Sequence, residues 1–165
     1  MSLDVLWSLT GPVVGGERRG RLIGFPTANV QVPVASSLPP DGIYAGLARS
    51  EQDPSLRWAA AISVGSNPTF DGISRTVEAH LLDFAGELYG QQLHLQAVHR
   101  LRGMSKFPDL QSLVDAITAD VAATRALIDE KCVDVLLGRS RNAPDVKSNQ
   151  QSAACTAEAV QVIVP

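Results

Sequence analysis

Hydrophobic and polar residues follow a period of two over much of the chain before residue 102, in short runs separated by turns rich in Gly, Pro and Ser. Successive side chains of an extended segment point to opposite sides, so this period predicts β-strands. We expect six strands, at residues 12–14, 29–34, 43–48, 58–64, 75–84 and 92–101. Because no helical pattern separates them, a parallel α/β fold is excluded and a small antiparallel barrel or sandwich is favoured.

The period changes to that of a helix after residue 108. Asp109 is a suitable N-cap and Gly138 a suitable stop, which predicts a helical region over residues 109–137 with a break near 129–131. We expect this helix to close an open side or end of the sheet, so that the fold is mainly β with a C-terminal α-helix. Its apolar stripe consists of Leu110, Leu113, Val114, Ile117 and Val121.

The composition shifts after Gly138 to Arg, Asn, Ser, Gln and Ala. We therefore expect a domain over residues 4–137, with the barrel at about 9–101, and a polar tail or linker over 138–165. The exception within the tail is a valine-rich strip at 160–164, whose short alternation is typical of an edge strand that pairs within the chain or with a neighbour.

Length, composition and charge narrow the class of protein. A chain of 165 residues with 45% hydrophobic residues has the core of one domain, and its 14 basic and 17 acidic residues give a net charge of −3. This balance argues against nucleic acid or an anionic membrane as partner. No apolar run approaches the roughly 20 residues of a membrane span, and the N-terminus lacks a secretory signal pattern. Two cysteines, Cys132 and Cys155, do not make a disulfide framework, so a reducing cytoplasm is expected.

The segment at residues 20–29 carries the most distinctive chemistry, with the sequence Gly-Arg-Leu-Ile-Gly-Phe-Pro-Thr-Ala-Asn. Pro26 fixes its own φ. Thr27 and Asn29 are two positions apart, so their oxygens face the same side of an extended segment. Such hard oxygen ligands suit Mg²⁺, which keeps waters and phosphate oxygens as its other ligands. The alternative is an ordinary proline turn.

A glycine-rich basic stretch at residues 15–22 approximates a phosphate-binding P-loop. The P-loop motif requires Lys followed by Ser or Thr, whereas the chain has Arg21 followed by Leu22, and Pro26 interrupts any long helix. A Walker-type site is therefore rejected. A flexible basic loop whose amides and arginines contact phosphate oxygens stays open, beside a solvated basic turn.

Glu78 and His80 lie on one face of the predicted strand at residues 75–84, opposite the apolar face formed by Val77, Ala79 and Leu81. An outward polar face explains this pattern, because antiparallel sheets commonly have one solvated side. A ligand cleft explains it as well, since a carboxylate there could accept a proton from an alcohol that attacks a phosphate. The alternation leaves both interpretations open.

Several sequence blocks resemble, in order and spacing, the signature of the riboflavin kinases. They lie at residues 20–29, 41–45, 63–70, 77–84 and 88–90, and end with Leu101-Arg102 followed by Phe107. Riboflavin kinases are ATP-dependent enzymes that make FMN, and in most bacteria they form the C-terminal half of a bifunctional FAD synthetase. The resemblance covers residues 9–128 approximately. It implies a six-stranded Greek-key barrel and a transfer of the ATP γ-phosphate to the ribityl 5′-hydroxyl of riboflavin.

The resemblance also implies the site. Glu78 falls on the general base of the family, and Thr27 and Asn29 on its Mg²⁺ ligands, with Mn²⁺ or Zn²⁺ as possible substitutes. We interpret His80 as a structural residue or as a support for the site. We expect ATP at Gly15, Gly20, Arg21, Gly24, Phe25 and Thr27, and riboflavin at Asn29, Glu78, Arg102 and Phe107.

Two other functions stay open on the sequence. The first is a flavin- or nucleotide-binding module of the same fold without catalysis, against which the intact Thr27, Asn29 and Glu78 argue. The second is an interaction domain that assembles through residues 160–164. The resemblance also leaves open whether an adenylyltransferase domain precedes this one in the native protein or the kinase is free-standing.

Overall fold

The computed structural model describes residues 4–16, 19–33, 37–69 and 72–128. Six strands form a closed barrel in the order β1-β2-β5-β4-β3-β6, and every neighbouring pair is antiparallel. The predicted mainly β fold, a six-stranded antiparallel barrel with a C-terminal helix, is thereby confirmed. The elements are β1 Trp7–Val14, α1 Arg19–Leu22, β2 Ala28–Val30, β3 Gly42–Ser50, β4 Arg57–Thr69, β5 Gly72–Leu81, β6 Gln92–Arg102 and α2 Leu110–Leu127.

The core fills the interior of the barrel with aliphatic side chains. In β5, Val77 and Ala79 point inward and are almost completely buried, as the alternation predicts. Aromatic pairs flank this core: Trp7 meets Tyr44 edge-on at 5.4 Å between ring centroids, and Trp58 meets Phe84 at 4.9 Å. Because the interior is filled, polar side chains at the intervening positions lie on the outer face.

Several strands differ in length from the prediction. β1 begins at Trp7 instead of residue 12, because Trp7 to Pro12 pair with β6 and thereby close the barrel. β2 is only three residues long. β4 continues to Thr69 through a stretch of turn-type composition, since it pairs with β5 along its whole second half. The single helical turn α1, which was not predicted, lies between β1 and β2.

Helix α2 confirms the predicted helix start. The Asp109 side chain accepts a hydrogen bond of 2.7 Å from the Ser112 backbone N–H, and this bond lowers the pKa of the Asp109 carboxyl. The helix packs on β3 and β4. The remainder of the predicted helix, the stop at Gly138, both cysteines and the tail lie outside the described residues. Within those residues, no helix has the length and apolarity to cross a membrane.

Candidate active site

One row of side chains crosses five strands on the outer face of the barrel. Asn29 of β2 is the register partner of Glu78 in β5, and Glu78 is in turn the partner of Ser63 in β4. The row continues to Ile43 of β3 and ends at Arg102 of β6. Its neighbours along β2 and β5 belong to the core, so the row faces away from it.

The loop before β2 is held in place by backbone geometry. The Phe25 backbone N–H donates to the Gly20 carbonyl oxygen at 2.8 Å, which closes a turn after α1. A Cβ added at Gly20 would lie 2.3 Å from the Phe25 oxygen, and Gly24 has φ of +86°, so both positions require glycine. Pro26 then directs the chain into β2, and Thr27 comes to lie over β5.

The structure brings together the predicted base and the predicted metal ligands. The Thr27 hydroxyl donates a hydrogen bond of 3.0 Å to Oε2 of Glu78, and both side chains are half-buried. Asn29 stands beside them as the register partner of Glu78. Gly16 lies against the Asn29 amide, since a Cβ added at Gly16 would lie 2.2 Å from Asn29 Nδ2.

These oxygens fit a hard divalent cation. A hydroxyl, an amide oxygen and a carboxylate are the donors that Mg²⁺ takes in proteins. No group of three or more His, Cys, Asp or Glu side chains in the described part of the chain is arranged to hold a metal by itself. A cation at Thr27 and Asn29 would therefore take its remaining ligands from water and from a bound phosphate.

His80 lies two positions after Glu78 and supports the same loop. Its Nδ1 is 2.8 Å from the Pro26 carbonyl oxygen. Its ring meets the Phe25 ring edge-on, with 5.6 Å between centroids. The side chain therefore contacts two consecutive loop residues in front of Thr27, and its supporting role stays a prediction.

A cavity of about 230 Å³ lies between this row, the loop and helix α2. Most of its walls are apolar, with a few polar groups on the barrel side, which is the character of a site for a small organic ligand. Its lining residues are Gly20, Ile23, Phe25, Thr27, Ile43, Ala61, Ser63, Glu78, His80, Leu113, Ile117 and Asp120.

Arg102 and Phe107 lie together behind the helix wall of the cavity. The Arg102 guanidinium donates to both carboxylate oxygens of Asp120 at 2.8–3.2 Å, and its carbon lies 5.5 Å from the centroid of the Phe107 ring. Neither residue is among those that line the cavity, whereas Asp120 is. Arg21 belongs to α1, and Gly15 is exposed after the end of β1.

Sequence reasoning placed the apolar stripe of the helix against the sheet, but it did not single out the polar cavity residues Asp120 of α2 and Ser63 of β4. One face of α2 carries Leu113, Ile117 and Asp120 at helical spacing. An acidic residue at the end of an apolar stripe could therefore have indicated a site residue. Ser63, a polar residue inside an apolar strand, was a weaker signal. Ile43 offered none, because its place in the row depends on the register between strands.

The family model for flavokinase, described as riboflavin kinase, matches residues 3–128. A bifunctional riboflavin kinase/FMN adenylyltransferase from Pseudomonas fluorescens is 39% identical over 72% of this chain and 37% of its own length. A crystal structure of a macrolide-efflux protein from Streptococcus pneumoniae is 36% identical with a TM-score of 0.66, over 72% of this chain and 38% of that one. The riboflavin kinase from Trypanosoma brucei, at 24% identity and a TM-score of 0.57, covers 83% of this chain and 91% of that one and shares the fold.

The chain spans less than two fifths of the length of the curated relatives it matches. The family match, in contrast, extends over most of the chain and over every element of the barrel and helix α2. This chain belongs to the riboflavin kinase family.

Proposed function

We propose that this chain phosphorylates riboflavin: the 5′-hydroxyl oxygen of the ribityl chain attacks the γ-phosphorus of ATP, the bond to the β-phosphate oxygen breaks, and FMN and ADP are formed. The observation that supports this most directly is the hydrogen bond between Thr27 and Glu78, with Asn29 beside it, at the wall of a largely apolar cavity. A base, a cation site and a ligand cavity are thus adjacent.

Glu78 accepts the proton of the attacking hydroxyl in this proposal. Thr27 occupies Oε2 of the carboxylate, so we assign the acceptor role to Oε1. Thr27 and Asn29 would hold Mg²⁺, which when bound neutralises charge on the phosphate oxygens. Phosphoryl transfer depends mainly on positioning and electrostatics, so the placement of the carboxylate matters more than its strength as a base.

The substrates are placed on either side of these groups. We assign the ATP phosphates to the loop at residues 15–24, where Gly15, Gly20, Arg21 and Gly24 offer backbone amides and a guanidinium, next to Phe25 and Thr27. Riboflavin enters the apolar cavity. With about 230 Å³, this cavity encloses part of a ligand of that size.

Arg102 and Phe107 stay proposed contacts at the far end of the flavin ring. Arg102 contacts both Asp120 and Phe107, which supports an indirect part, in which the two residues hold the helix wall that the ring packs against. We assign FMN formation to residues 4–137 and leave the tail at 138–165 outside the activity. We further propose a cytoplasmic location, where the two thiols of the chain stay reduced.

The test is FMN formation from riboflavin and Mg·ATP, with Glu78→Gln and Asn29→Ala beside the wild type. Glu78→Gln keeps the size of the side chain but removes the proton acceptor, so we expect a loss of at least about a hundredfold in kcat. Asn29→Ala should raise the Mg²⁺ concentration needed for half-maximal rate. Glu87→Ala, a change of an exposed carboxylate between β5 and β6, is the matched control and should leave the rate unchanged.

Each failure has a different meaning. Tight binding of FMN without any consumption of ATP would replace the kinase by a non-catalytic binding module. A Glu78→Gln variant as active as the wild type would keep the kinase and remove Glu78 as its base. Absence of both flavin and nucleotide binding would reject the proposed function.

A further inference from the structure

His80 joins the catalytic strand to the loop that carries Thr27. Glu78 and His80 are two positions apart on β5 and lie on the same outer side. Glu78 holds the loop through the Thr27 hydroxyl at 3.0 Å, and His80 holds it through the Pro26 carbonyl oxygen at 2.8 Å. Strand β5 therefore binds the loop at two successive residues, Pro26 and Thr27.

The position of the Pro26 carbonyl directly restricts the backbone position of Thr27. The carbonyl oxygen of residue 26 and the nitrogen and Cα of residue 27 lie in one peptide plane, so fixing that oxygen limits the movement of the Thr27 Cα. The pyrrolidine ring of Pro26 also fixes its own φ. The remaining freedom of the Thr27 side chain is a single rotation about χ1, which its hydrogen bond to Glu78 sets.

The contact also defines the tautomer of His80. A carbonyl oxygen only accepts hydrogen bonds, so Nδ1 must carry the proton, and the neutral ring then has its lone pair on Nε2. The edge-on contact with Phe25 fixes the plane of the ring. The protonation pattern of His80 is thus an observable that does not depend on turnover.

We propose that His80 is a positioning residue for the phosphoryl transfer: its Nδ1–H, bound to the Pro26 carbonyl, sets the Thr27–Glu78 hydrogen bond and the approach of the Thr27 and Asn29 oxygens to a cation. This inference rests on the proposed kinase function. His80 itself touches neither the transferred phosphate nor the cation in this scheme.

The first test compares His80→Asn with His80→Gln. An Asn amide can place an N–H near the position of Nδ1, whereas a Gln amide reaches the position of Nε2. We expect His80→Asn to keep kcat/KM for Mg·ATP within about threefold, and His80→Gln to lose about 10- to 100-fold, because small displacements of positioned groups are costly. His99→Asn, at an exposed position of β6, is the control and should match the wild type.

The second test reads the tautomer by ¹⁵N NMR of the histidine rings at about pH 8, well above the reference pKa of a free imidazole. We expect His80 to be protonated at Nδ1, and protonation at Nε2 would overturn the proposal. Equal kinetics of the Asn and Gln variants would also overturn it, while FMN formation by the wild type would still stand. If the wild type forms no FMN, the proposed function fails, and Mg·ADP affinity decides the positioning role: His80→Gln should weaken it and His80→Asn should not.

Discussion

The Thr27 hydroxyl and the Glu78 carboxylate are 51 positions apart in the chain and 3.0 Å apart in the fold. A carboxylate accepts hydrogen bonds only, so Thr27 is the donor, and lone pairs of its oxygen stay directed elsewhere. Asn29 joins them because β2 pairs with β5 in the register that sets it opposite Glu78. The proximity of these side chains thus depends on the pairing of β2 with β5, which consists of three residue pairs.

Gly16 offers a way to disturb Asn29 without touching it. A Cβ at Gly16 would lie 2.2 Å from Asn29 Nδ2, the far end of a side chain, so Gly16→Ala should displace the amide while the fold persists. We expect FMN formation to fall about tenfold or more, because the displaced oxygen would no longer reach the proposed cation. Steady-state kinetics at several Mg²⁺ concentrations measure this.

Gly11→Ala is the contrasting variant. Its Cβ would lie 2.1 Å from the backbone oxygen of Gln31, which cannot move away freely because the Gln31 N–H is bound to the Pro12 carbonyl. We expect a loss of about 1–3 kcal/mol in unfolding free energy, as for other overpacked sites. We thus expect Gly16→Ala to affect activity and Gly11→Ala to affect stability. A Gly16→Ala variant with wild-type kinetics, or with a larger loss of stability than Gly11→Ala, would contradict this expectation.

At the residue scale, the sequence predicts which neighbouring side chains share a face of a strand. The same-side placement of Thr27 and Asn29 follows from their spacing. The alternation in β5 also places Glu78 and His80 on a polar face, but it cannot distinguish solvent from a ligand cleft. That distinction depends on which strand and helix cover the face, and Asp120 and Ser63 reach the cavity only through such long-range packing.

At the element scale, short strands were predicted well where hydrophobic alternation and turns coincide, as in β3 and β6. The errors lie where tertiary pairing overrides local propensity. The stretch from Gly65 to Thr69 has the composition of a turn yet extends β4, because β5 supplies partners along its length. β1 begins early because β6 lies beside it in the closed barrel, which no local pattern reveals.

Helix α2 is tied to the barrel by ion pairs at two points. Arg102 of β6 binds Asp120 through two oxygens, and Asp120 has only 9% of its side chain exposed. Arg125 binds Asp83 after β5 in the same manner, but both side chains are exposed. The first pair should therefore hold the helix more strongly, because an exposed pair contributes little.

Asp120→Ala should loosen the helix. It leaves the Arg102 guanidinium half-buried without its carboxylate, so we expect a loss of about 2 kcal/mol in unfolding free energy. We also expect a higher KM for riboflavin, because the helix forms one wall of the cavity proposed for it. Urea unfolding and kinetics test this. Asp115→Ala, on the exposed side of the same helix, is the control; an equal loss there would mean that helix propensity, rather than the ion pair, is responsible.

At the scale of the whole molecule, core and site lie on opposite sides of the same wall. The aliphatic core fills the interior, and the candidate site lies on the outer face beneath α2. Alternate residues of β5 therefore have different roles: Val77 and Ala79 belong to the core, and Glu78 belongs to the candidate site. Fold and activity can consequently be changed separately, which is the basis of the paired variants above.

His94 makes the stability of the whole barrel sensitive to mild acid. Its Nδ1 lies 2.7 Å from the Thr10 hydroxyl, and burial together with the nearby Arg49 lowers its pKa below the ordinary 6.5, against a smaller opposing effect of Glu51. The unfolded chain therefore binds this proton more readily than the folded one. Stability due to His94 is complete above pH 6.5 and is lost as the pH falls from 6.5 through the folded pKa.

Urea unfolding at about pH 7.5 and 5.5 measures this effect. The wild type should have the lower midpoint at the acidic pH, and His94→Gln, which cannot bind a proton, should show a smaller difference. Four carboxylates of the described residues have a lowered pKa, namely Asp41, Asp53, Asp83 and Asp109. Each starts from 3.8, so its contribution is lost only below that value and does not enter this window. If His99→Gln flattens the profile as much as His94→Gln does, the effect does not arise from the burial of His94 between β1 and β3.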